Sequence, residues 1–159
     1  MWSALQRVMV GLLAVLTVAS VRGAVARTEG EASAGPTPEQ VVTKYMEALR
    51  DGNFAAAYDS LSKGMVQHKS REDWAKEQQW SLQMSEAKIL DFKVYPGRVE
   101  GAKAYVPNLL NAQDKFLNQL GVQEHELYTL IMEDGQWKID RQVLLEKAEQ
   151  ARWFPARKP

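Results

Sequence analysis

Apolar residues recur at helical spacing in the part of the chain that begins near residue 37. Thr37-Pro38-Glu39-Gln40 combines a capping hydroxyl, a proline at the first helical position and a glutamine three residues after the cap, which is typical of a helix start. The residues that follow form one apolar face: Val41, Val42, Tyr45, Met46, Ala48 and Leu49. Asp51-Gly52 ends the pattern, so we predict a first amphipathic helix between these signals.

A second helix is predicted directly after this turn. Asn53 caps it, its apolar positions Phe54, Ala57, Tyr58 and Leu61 recur at intervals of three and four, and Gly64 lies just beyond its end. Two helices joined by so short a turn form an antiparallel hairpin.

A third helix is predicted from the capping signature Ser70-Arg71-Glu72-Asp73. It contains Trp74 and runs to about Gln79. From Trp80 the period changes to alternation, in which Trp80, Leu82 and Met84 are separated by polar residues. This alternation favours an extended segment or a short strand.

The second half of the chain has the alternating pattern of strands. Ala87 to Tyr95 is the first strand, and Ala104 to Val106 resumes a strand that pairs back and that Pro107 ends or distorts. Leu127 to Met132 pairs across the Asp134-Gly135 turn with a strand that carries Trp137 and Ile139 on one face. An amphipathic helix from Val143 to Trp153 closes the chain, and residues 155–159 form a frayed tail.

Residues 108–121 carry two competing signals. Asn111 with Asp114 resembles a helix cap, three apolar residues fall on one helical face, and Gly121 suits a helix end. We predict a short helix from Ala112 to Leu120. The alternative is a long irregular strand that runs from Tyr105 through this region.

Helices followed by a mostly antiparallel sheet predict an α+β fold in which the helices cover one face of a curved sheet. A curved sheet wrapped on a helical hairpin forms a cone-shaped barrel with an open mouth. Alternate strand residues line its interior, and such mouths are common positions for ligand pockets.

The N-terminus has the pattern of an export signal. Residues 8–18 are apolar apart from two positions, which is too short to cross a bilayer but suits a secretory segment, and Ala24-Val25-Ala26 supplies the small residues before a cleavage site. We predict a signal peptide over residues 1–26, a disordered linker over residues 27–36 and one domain over residues 37–154. The protein is then periplasmic or extracellular; the alternative is an uncleaved membrane anchor formed by residues 8–21.

Composition restricts the partners further. The chain has no cysteine, so disulfides and a lipid-modified cysteine are excluded. Residues 1–26 hold two of the 20 basic residues and none of the 20 acidic ones, which leaves a net charge of −2 on the remainder. Nucleic acid is therefore not expected as a partner, because phosphate binding needs a basic surface.

Two stretches resemble a known family. The run from Pro38 to Tyr58, with its helix, Asp-Gly turn and second helix, and the closing run Asp134-Gly135-Gln136-Trp137-Lys138-Ile139-Asp140 are similar to the nuclear transport factor 2-like superfamily, in particular to its exported bacterial domains of uncharacterised function. The resemblance covers about residues 37–141. It implies a cone-shaped, cystatin-like α+β barrel with a pocket, but no particular reaction, because this scaffold carries enzymes, binding proteins and interaction domains.

The resemblance also implies what an enzyme of the ketosteroid isomerase-like branch would need. Tyr45 matches the position of the oxyanion-stabilising tyrosine on the first helix. The position of the carboxylate base falls near Lys69-Ser70, where no carboxylate is present, and no obvious second acid follows Phe92. An enzyme would have to use Tyr45 with His68 or Asp59.

Other candidate sites are weaker. His68 and His125 are the only histidines, so a metal site is not expected, and Glu124-His125-Glu126 is expected to be the exposed start of a strand. Six aromatic residues are candidates to line an apolar pocket, although filling the core is the favoured interpretation: Tyr45, Tyr58, Trp74, Trp80, Tyr105 and Trp137.

The sequence thus favours an exported, non-catalytic binding or protein-interaction module that needs no cofactor. Its partner is a small apolar ligand or another protein. The alternatives are an isomerase-, cyclase- or dehydratase-type enzyme and a domain that assembles as a homodimer.

Overall fold

The computed structural model describes residues 35–115 and 118–155. The elements follow one another as α1 (Pro38–Arg50), α2 (Phe54–Tyr58), α3 (Arg71–Ser85), β1 (Lys88–Val94), β2 (Arg98–Glu100), β3 (Lys103–Asp114), β4 (Asn118–Glu133), β5 (Gln136–Leu144) and α4 (Lys147–Trp153). The fold is α+β, with helices on a curved, unclosed and mostly antiparallel sheet, and the predicted fold class is confirmed.

The predicted signal peptide lies outside the described residues, as do residues 27–34 of the predicted linker and residues 156–159 of the tail. Within the described ranges, no helix has the length and apolar character that crossing a membrane requires.

α1 begins and packs as the sequence predicts. The Thr37 hydroxyl accepts a hydrogen bond from the Gln40 N–H, and the Gln40 side chain accepts one from the Thr37 N–H at 2.8 Å, so both groups stabilise the helix start. Seven residues of α1 are buried. The helix lies across β1, β3 and β5, which makes it the main cover of one face of the sheet.

α2 is shorter than predicted, because it ends at Tyr58 rather than at Leu61. The backbone of residues 60–62 pairs with β5 instead: the Ile139 N–H donates to the Ser60 carbonyl and the Ser62 N–H donates to the Ile139 carbonyl, both at 2.8 Å. The edge of the sheet thus takes the hydrogen bonds that a longer helix would have used.

The prediction of an extended segment over residues 80–84 is wrong. α3 continues to Ser85 and ends where Glu86 adopts a left-handed conformation. Nothing between Gln79 and Ser85 interrupts a helix, since the stretch has neither glycine nor proline. Trp80 and Met84 lie one helical turn apart, and their side chains are 63% and 52% exposed.

The sheet has the strand order β1-β3-β4-β5, and β2 pairs with the start of β3. The predicted helix over Ala112–Leu120 is wrong: β3 extends to Asp114 and β4 begins at Asn118, with residues 116 and 117 outside the description. The alternative of a long strand from Tyr105 is the one observed. Alternate residues of β3 from Ala104 to Asp114 are buried, which is the pattern of a strand with one face on the core.

Pro107 does not end β3. Its carbonyl accepts a hydrogen bond from the Tyr95 N–H, which shows that its backbone faces the side on which β1 stops at Val94. The missing N–H of proline therefore removes little from the sheet at this point.

The β4–β5 hairpin confirms the closing motif. Asp134 and Gly135 both have positive φ, at 50° and 76°, as a two-residue hairpin turn requires. Ile139 is fully buried and Trp137 packs against the core. Both face the helices, as predicted.

The opposite face of the sheet is covered by the end of α4. The Trp153 ring lies 5.8 Å from that of Tyr105, and the Phe154 ring lies 5.1 Å from Tyr95 and 4.7 Å from His125. α4 begins at Lys147 and not at the predicted Val143, because residues 143 and 144 remain paired with β4 in β5.

Candidate functional site

A polar cluster lies in the core between α1 and the sheet. Asn108 of β3 is paired with Glu126 of β4, and Gln142 of β5 is paired with Tyr128 of β4. All four occupy alternate strand positions and therefore face α1. We call this group, together with Tyr45 and Met46 of α1, the Glu126 cluster.

Three side chains donate hydrogen bonds to the Glu126 carboxyl group. Asn108 Nδ2 and the Tyr128 hydroxyl bond to Oε2 at 2.9 and 3.1 Å, and Gln142 Nε2 bonds to Oε1 at 2.7 Å. Glu126, Asn108 and Tyr128 have no exposed surface. The described part of the chain holds no lysine, arginine or histidine that forms an ion pair with Glu126, so its charge is balanced by neutral donors alone.

Burial controls the protonation of this carboxyl group. Removal from water raises the pKa of Glu126 to about 7, although the hydrogen bonds from Asn108, Gln142 and Tyr128 act to lower it. The negative charge of the neighbouring Glu124 carboxylate is a smaller contribution to this rise. Glu126 is therefore an acid that exchanges its proton near neutral pH.

α1 contributes a phenol and a sulfur to the cluster. The rings of Tyr45 and Tyr128 meet edge to face at a centroid distance of 6.1 Å, and the Tyr128 hydroxyl lies 3.2 Å from Met46 Sδ. Burial first, and the nearby Glu126 second, raise the pKa of both phenols. Both tyrosines thus stay neutral hydrogen-bond donors at physiological pH.

The cluster contains the kinds of side chain that acid–base catalysis uses, but these side chains are enclosed in the core. A carboxyl group with a pKa near 7 can give or take a proton, and neutral phenols can stabilise an oxyanion. Side chains without exposed surface, however, leave no room for even a water-sized probe beside them. No ligand can reach Glu126 unless the side chains that enclose it move.

The sequence predicts Glu126 at the exposed start of a strand and predicts no buried acid after Phe92. Both expectations are wrong. The alternation of Glu124, Glu126, Tyr128 and Leu130 does place Glu126 on the core face of a strand that starts before Leu127. That signal was obscured because a carboxylate is rarely buried without a cation.

The residues proposed for an enzyme do not join Tyr45. Asp59 is exposed and forms a 2.8 Å ion pair with Arg71. His68 is exposed in a left-handed backbone conformation with φ 61°. Tyr45 is fully buried, so the structure brings it together with Glu126 rather than with either of these groups.

The six predicted pocket-lining aromatics do not share one surface. Tyr45 lies in the Glu126 cluster, and Tyr58 and Trp74 pack against each other with centroids 5.9 Å apart. Tyr105 packs under α4 on the other face of the sheet, Trp137 packs against the core, and Trp80 faces solvent.

An open groove lies on the surface between the α1–α2 turn and α3. Its volume is about 480 Å³, and we call it the α2–α3 groove. Its walls mix apolar, basic and acidic side chains: Gly52, Asn53, Phe54, Ala55, Arg71, Glu72, Ala75, Lys76 and Gln79. Trp80 is next to it along α3. In the portion of the chain described, no group of histidine, aspartate and glutamate side chains could hold a metal ion.

Solved structures share this fold, whereas no family model and no curated protein matches the sequence. The solution structure of a SEC-C motif containing protein from Rhodopseudomonas palustris aligns with a TM-score of 0.53 and 11% identity, over 69% of this chain and 79% of that one. A cystatin-like domain of unknown function from Nostoc punctiforme aligns with a TM-score of 0.51 and 14% identity, over 70% of this chain and 78% of that one. A nuclear transport factor 2-like protein of unknown function from Pseudomonas putida aligns with a TM-score of 0.50 and 14% identity, over 76% of this chain and 92% of that one.

These likenesses concern the fold. Together with the helices on a curved sheet, they establish the nuclear transport factor 2-like fold that the two sequence motifs imply. At such identities they carry no ligand or reaction to this chain.

Proposed function

We propose that the protein is an exported, non-catalytic module that binds another protein at the α2–α3 groove. The observation that carries this proposal is the contrast between a closed interior and an open exterior. Tyr45, Glu126 and Tyr128 have no exposed surface, whereas the groove offers about 480 Å³ of accessible volume. Volumes of this order are typical of binding sites.

The groove and the adjacent α3 surface suit a polypeptide partner. Trp80 is 63% exposed beside the groove, and tryptophan is among the residues that contribute most to protein interfaces when a partner covers it. Arg71, Lys76 and Glu72 of α3 line the groove and offer polar contacts of both signs. An open groove of mixed polarity suits a short peptide segment better than a small apolar ligand.

The export part of the proposal rests on residues 1–26. Their apolar run and the Ala24-Val25-Ala26 sequence support cleavage after Ala26, which places the mature domain in the periplasm or outside the cell. The intact mass of the protein isolated from its own host tests this, because retention of residues 1–26 would instead support the membrane-anchored form.

Site-specific photo-crosslinking in the native host tests the binding surface. A photoreactive amino acid at Lys76, on the groove, is expected to capture one protein that the same substitution at Lys147 of α4 does not capture. Trp80→Ala should weaken that capture, and Val99→Ala, which trims a residue of similar exposure (60%) on β2, should leave it unchanged. Equal capture at both positions, or insensitivity to Trp80→Ala, would contradict the proposal.

In the enzyme alternative, Glu126 rather than His68 or Asp59 would be the catalytic acid–base group. It requires the side chains that enclose Glu126 to move so that an enolisable carbonyl compound reaches the carboxyl group. Deuterium exchange next to the carbonyl of a cyclic ketone, followed by NMR, tests it: exchange that Glu126→Gln abolishes would favour the enzyme over the binding module.

A homodimer is the remaining alternative. The outer sheet face is occupied by Trp153 and Phe154, so pairing through that face would first displace α4. We expect a monomer in light scattering at high concentration.

A further inference from the structure

The Glu126 cluster has more hydrogen-bonding capacity than one protonation state uses. The Tyr128 hydroxyl carries a single proton but has two acceptors within reach, Glu126 Oε2 at 3.1 Å and Met46 Sδ at 3.2 Å. Asn108 Oδ1 is buried and has no hydrogen-bond partner in the described residues. A buried acceptor left unused is uncommon, because its desolvation is not offset.

Both protonation states of Glu126 can be satisfied by this geometry. When the carboxylate is ionised, the Tyr128 hydroxyl donates to Oε2. When Oε2 carries the proton, the acid donates to the Tyr128 oxygen, and the Tyr128 proton turns to Met46 Sδ, a weak acceptor. Asn108 Nδ2 and Gln142 Nε2 continue to donate in both states. Proton uptake therefore breaks no hydrogen bond to the sheet and adds one toward α1.

Burial and the nearby Glu124 carboxylate disfavour the negative charge of Glu126, and the hydrogen bonds from Asn108, Gln142 and Tyr128 offset this only in part. α1 presents the neutral phenol of Tyr45, and β4 presents Tyr128 and the second carboxylate Glu124. β3 and β5 bond to it only through the neutral amides of Asn108 and Gln142 within the described chain. An ionised Glu126 thus places beneath α1 a buried charge that neutral donors stabilise and that no cation in the described residues pairs with.

We propose that Glu126 is a proton-binding site that fastens α1 to the sheet, with the Tyr128 hydroxyl switching from Glu126 to Met46 when the proton is bound. Loss of the proton turns the hydroxyl back to the carboxylate, releases Met46 and favours entry of water beneath α1. The cone then loosens as the pH rises. This site is separate from the α2–α3 groove and does not depend on the proposed partner.

Carboxyl ¹³C NMR of the full chain, labelled at glutamate, tests the proposal. Glu126 is assigned from the resonance that Glu126→Gln removes, and its titration midpoint is expected near pH 7, in agreement with burial raising its pKa to about 7. Tyr128→Phe removes a charge-assisted hydrogen bond from the ionised form and a weaker, neutral one from the protonated form, so it should raise the midpoint. Met46→Leu removes the second acceptor at nearly constant volume and should lower it.

The opposite directions of these two shifts distinguish the switch from simple burial. Tyr58→Phe is the matched control, since its hydroxyl bonds to the Lys69 carbonyl outside the cluster and its loss should leave the midpoint unchanged. A midpoint below pH 5 in the wild type, or shifts of the same sign in both variants, would overturn the proposal.

Hydrogen exchange provides a second test. If Glu126 had only a structural role, the exchange protection of α1 would not depend on pH in the way described next. After correction for intrinsic rates, backbone amides of residues 44–49 should open at least tenfold more often at pH 8 than at pH 5.5 in the wild type. In Glu126→Gln the two values should agree. Equal protection at both pH values in the wild type would contradict a proton-dependent contact. If the glutamine variant does not fold, the Glu126 carboxyl resonance is assigned through its correlations to the backbone, and the Met46→Leu and Tyr128→Phe titrations decide.

Discussion

One face of the sheet is covered by α1, which buries seven residues, whereas the other is covered by the end of α4, which buries none. α1 reaches β1, β3 and β5 and encloses polar groups that water cannot reach. α4 is attached at its last turn, where the Trp153 ring contacts both the Tyr105 ring and the Arg98 guanidinium, which lies 4.7 Å from the centre of the Trp153 ring. We infer that opening the first cover costs much more free energy than opening the second, which opens locally.

The difference also separates the chemistry of the two covers. Aromatic and cation–π contacts at a partly exposed position tolerate water and small displacements. A buried carboxyl group that depends on three hydrogen-bond donors is destabilised both by water and by small displacements. The α1 face therefore determines the stability of the domain and its response to pH. The helix on the α4 face is held weakly and can detach without unfolding the domain.

The largest expected effect is the loss of a core side chain under α1. Ile139 is fully buried, and Ile139→Ala should lower the free energy of unfolding by about 2–5 kcal/mol, since the cavity left behind adds to the lost burial. Urea denaturation measures this. Val99→Ala, at an exposed position of β2, should change stability by less than about 0.5 kcal/mol. Similar losses in both variants would show that the interior is not packed as described.

The next effect is the pH dependence that Glu126 gives to the α1 face. Its pKa in the folded protein is raised from 4.5 to about 7, so the folded form keeps a proton that the unfolded chain releases. The free energy of unfolding should therefore fall as pH rises from 4.5 to 7, by about 3 kcal/mol in total, and level off above that range.

Denaturation at a series of pH values measures this slope in the wild type and in two variants. Glu126→Gln should remove most of it, whereas Glu149→Gln, at an exposed position of α4, should retain it. A slope that survives in Glu126→Gln would assign the pH dependence to other groups.

The smallest effect is expected on the α4 face. Trp153→Ala removes a larger side chain than Ile139→Ala does, yet only about 1–2 kcal/mol should be lost, because the ring is half-buried. Hydrogen exchange should increase in residues 147–153 and remain unchanged in α1. Lys147→Ala serves as the control at the exposed end of the helix. Loss of protection in both helices would mean that the two covers are coupled.

Features that depend on residues close together in the sequence were predicted correctly. The Thr37–Gln40 cap, the Asp134-Gly135 turn and the inward face of Trp137 and Ile139 involve residues within a few positions of one another. The alternation over Trp80–Met84 was misleading because it is also compatible with a helix whose i and i+4 residues face solvent.

What could not be predicted depends on contacts between distant residues. The end of α2 is decided by pairing with Ile139, and the strand over residues 108–114 is decided by pairing with β1 and β4. The Glu126 cluster has the same origin, since Asn108 and Gln142 lie 18 and 16 residues away from the carboxylate they bind. A single sequence contains no local sign that two amides will meet a buried acid.

The pairing of residues 60–62 with β5 has a consequence for the order of folding. The Ser62 hydroxyl and the Asp140 carboxylate that join there are separated by 78 positions. By contrast, β4 and β5 connect through Asp134-Gly135, and only three positions separate the end of β3 from the start of β4. Closing the longer loop costs more chain entropy, so we expect the hairpins to form first and the N-terminal helices to dock onto them later. During synthesis, which proceeds from the N-terminus, α1 and α2 would therefore be made first but could pack against the sheet only after β5 has been made.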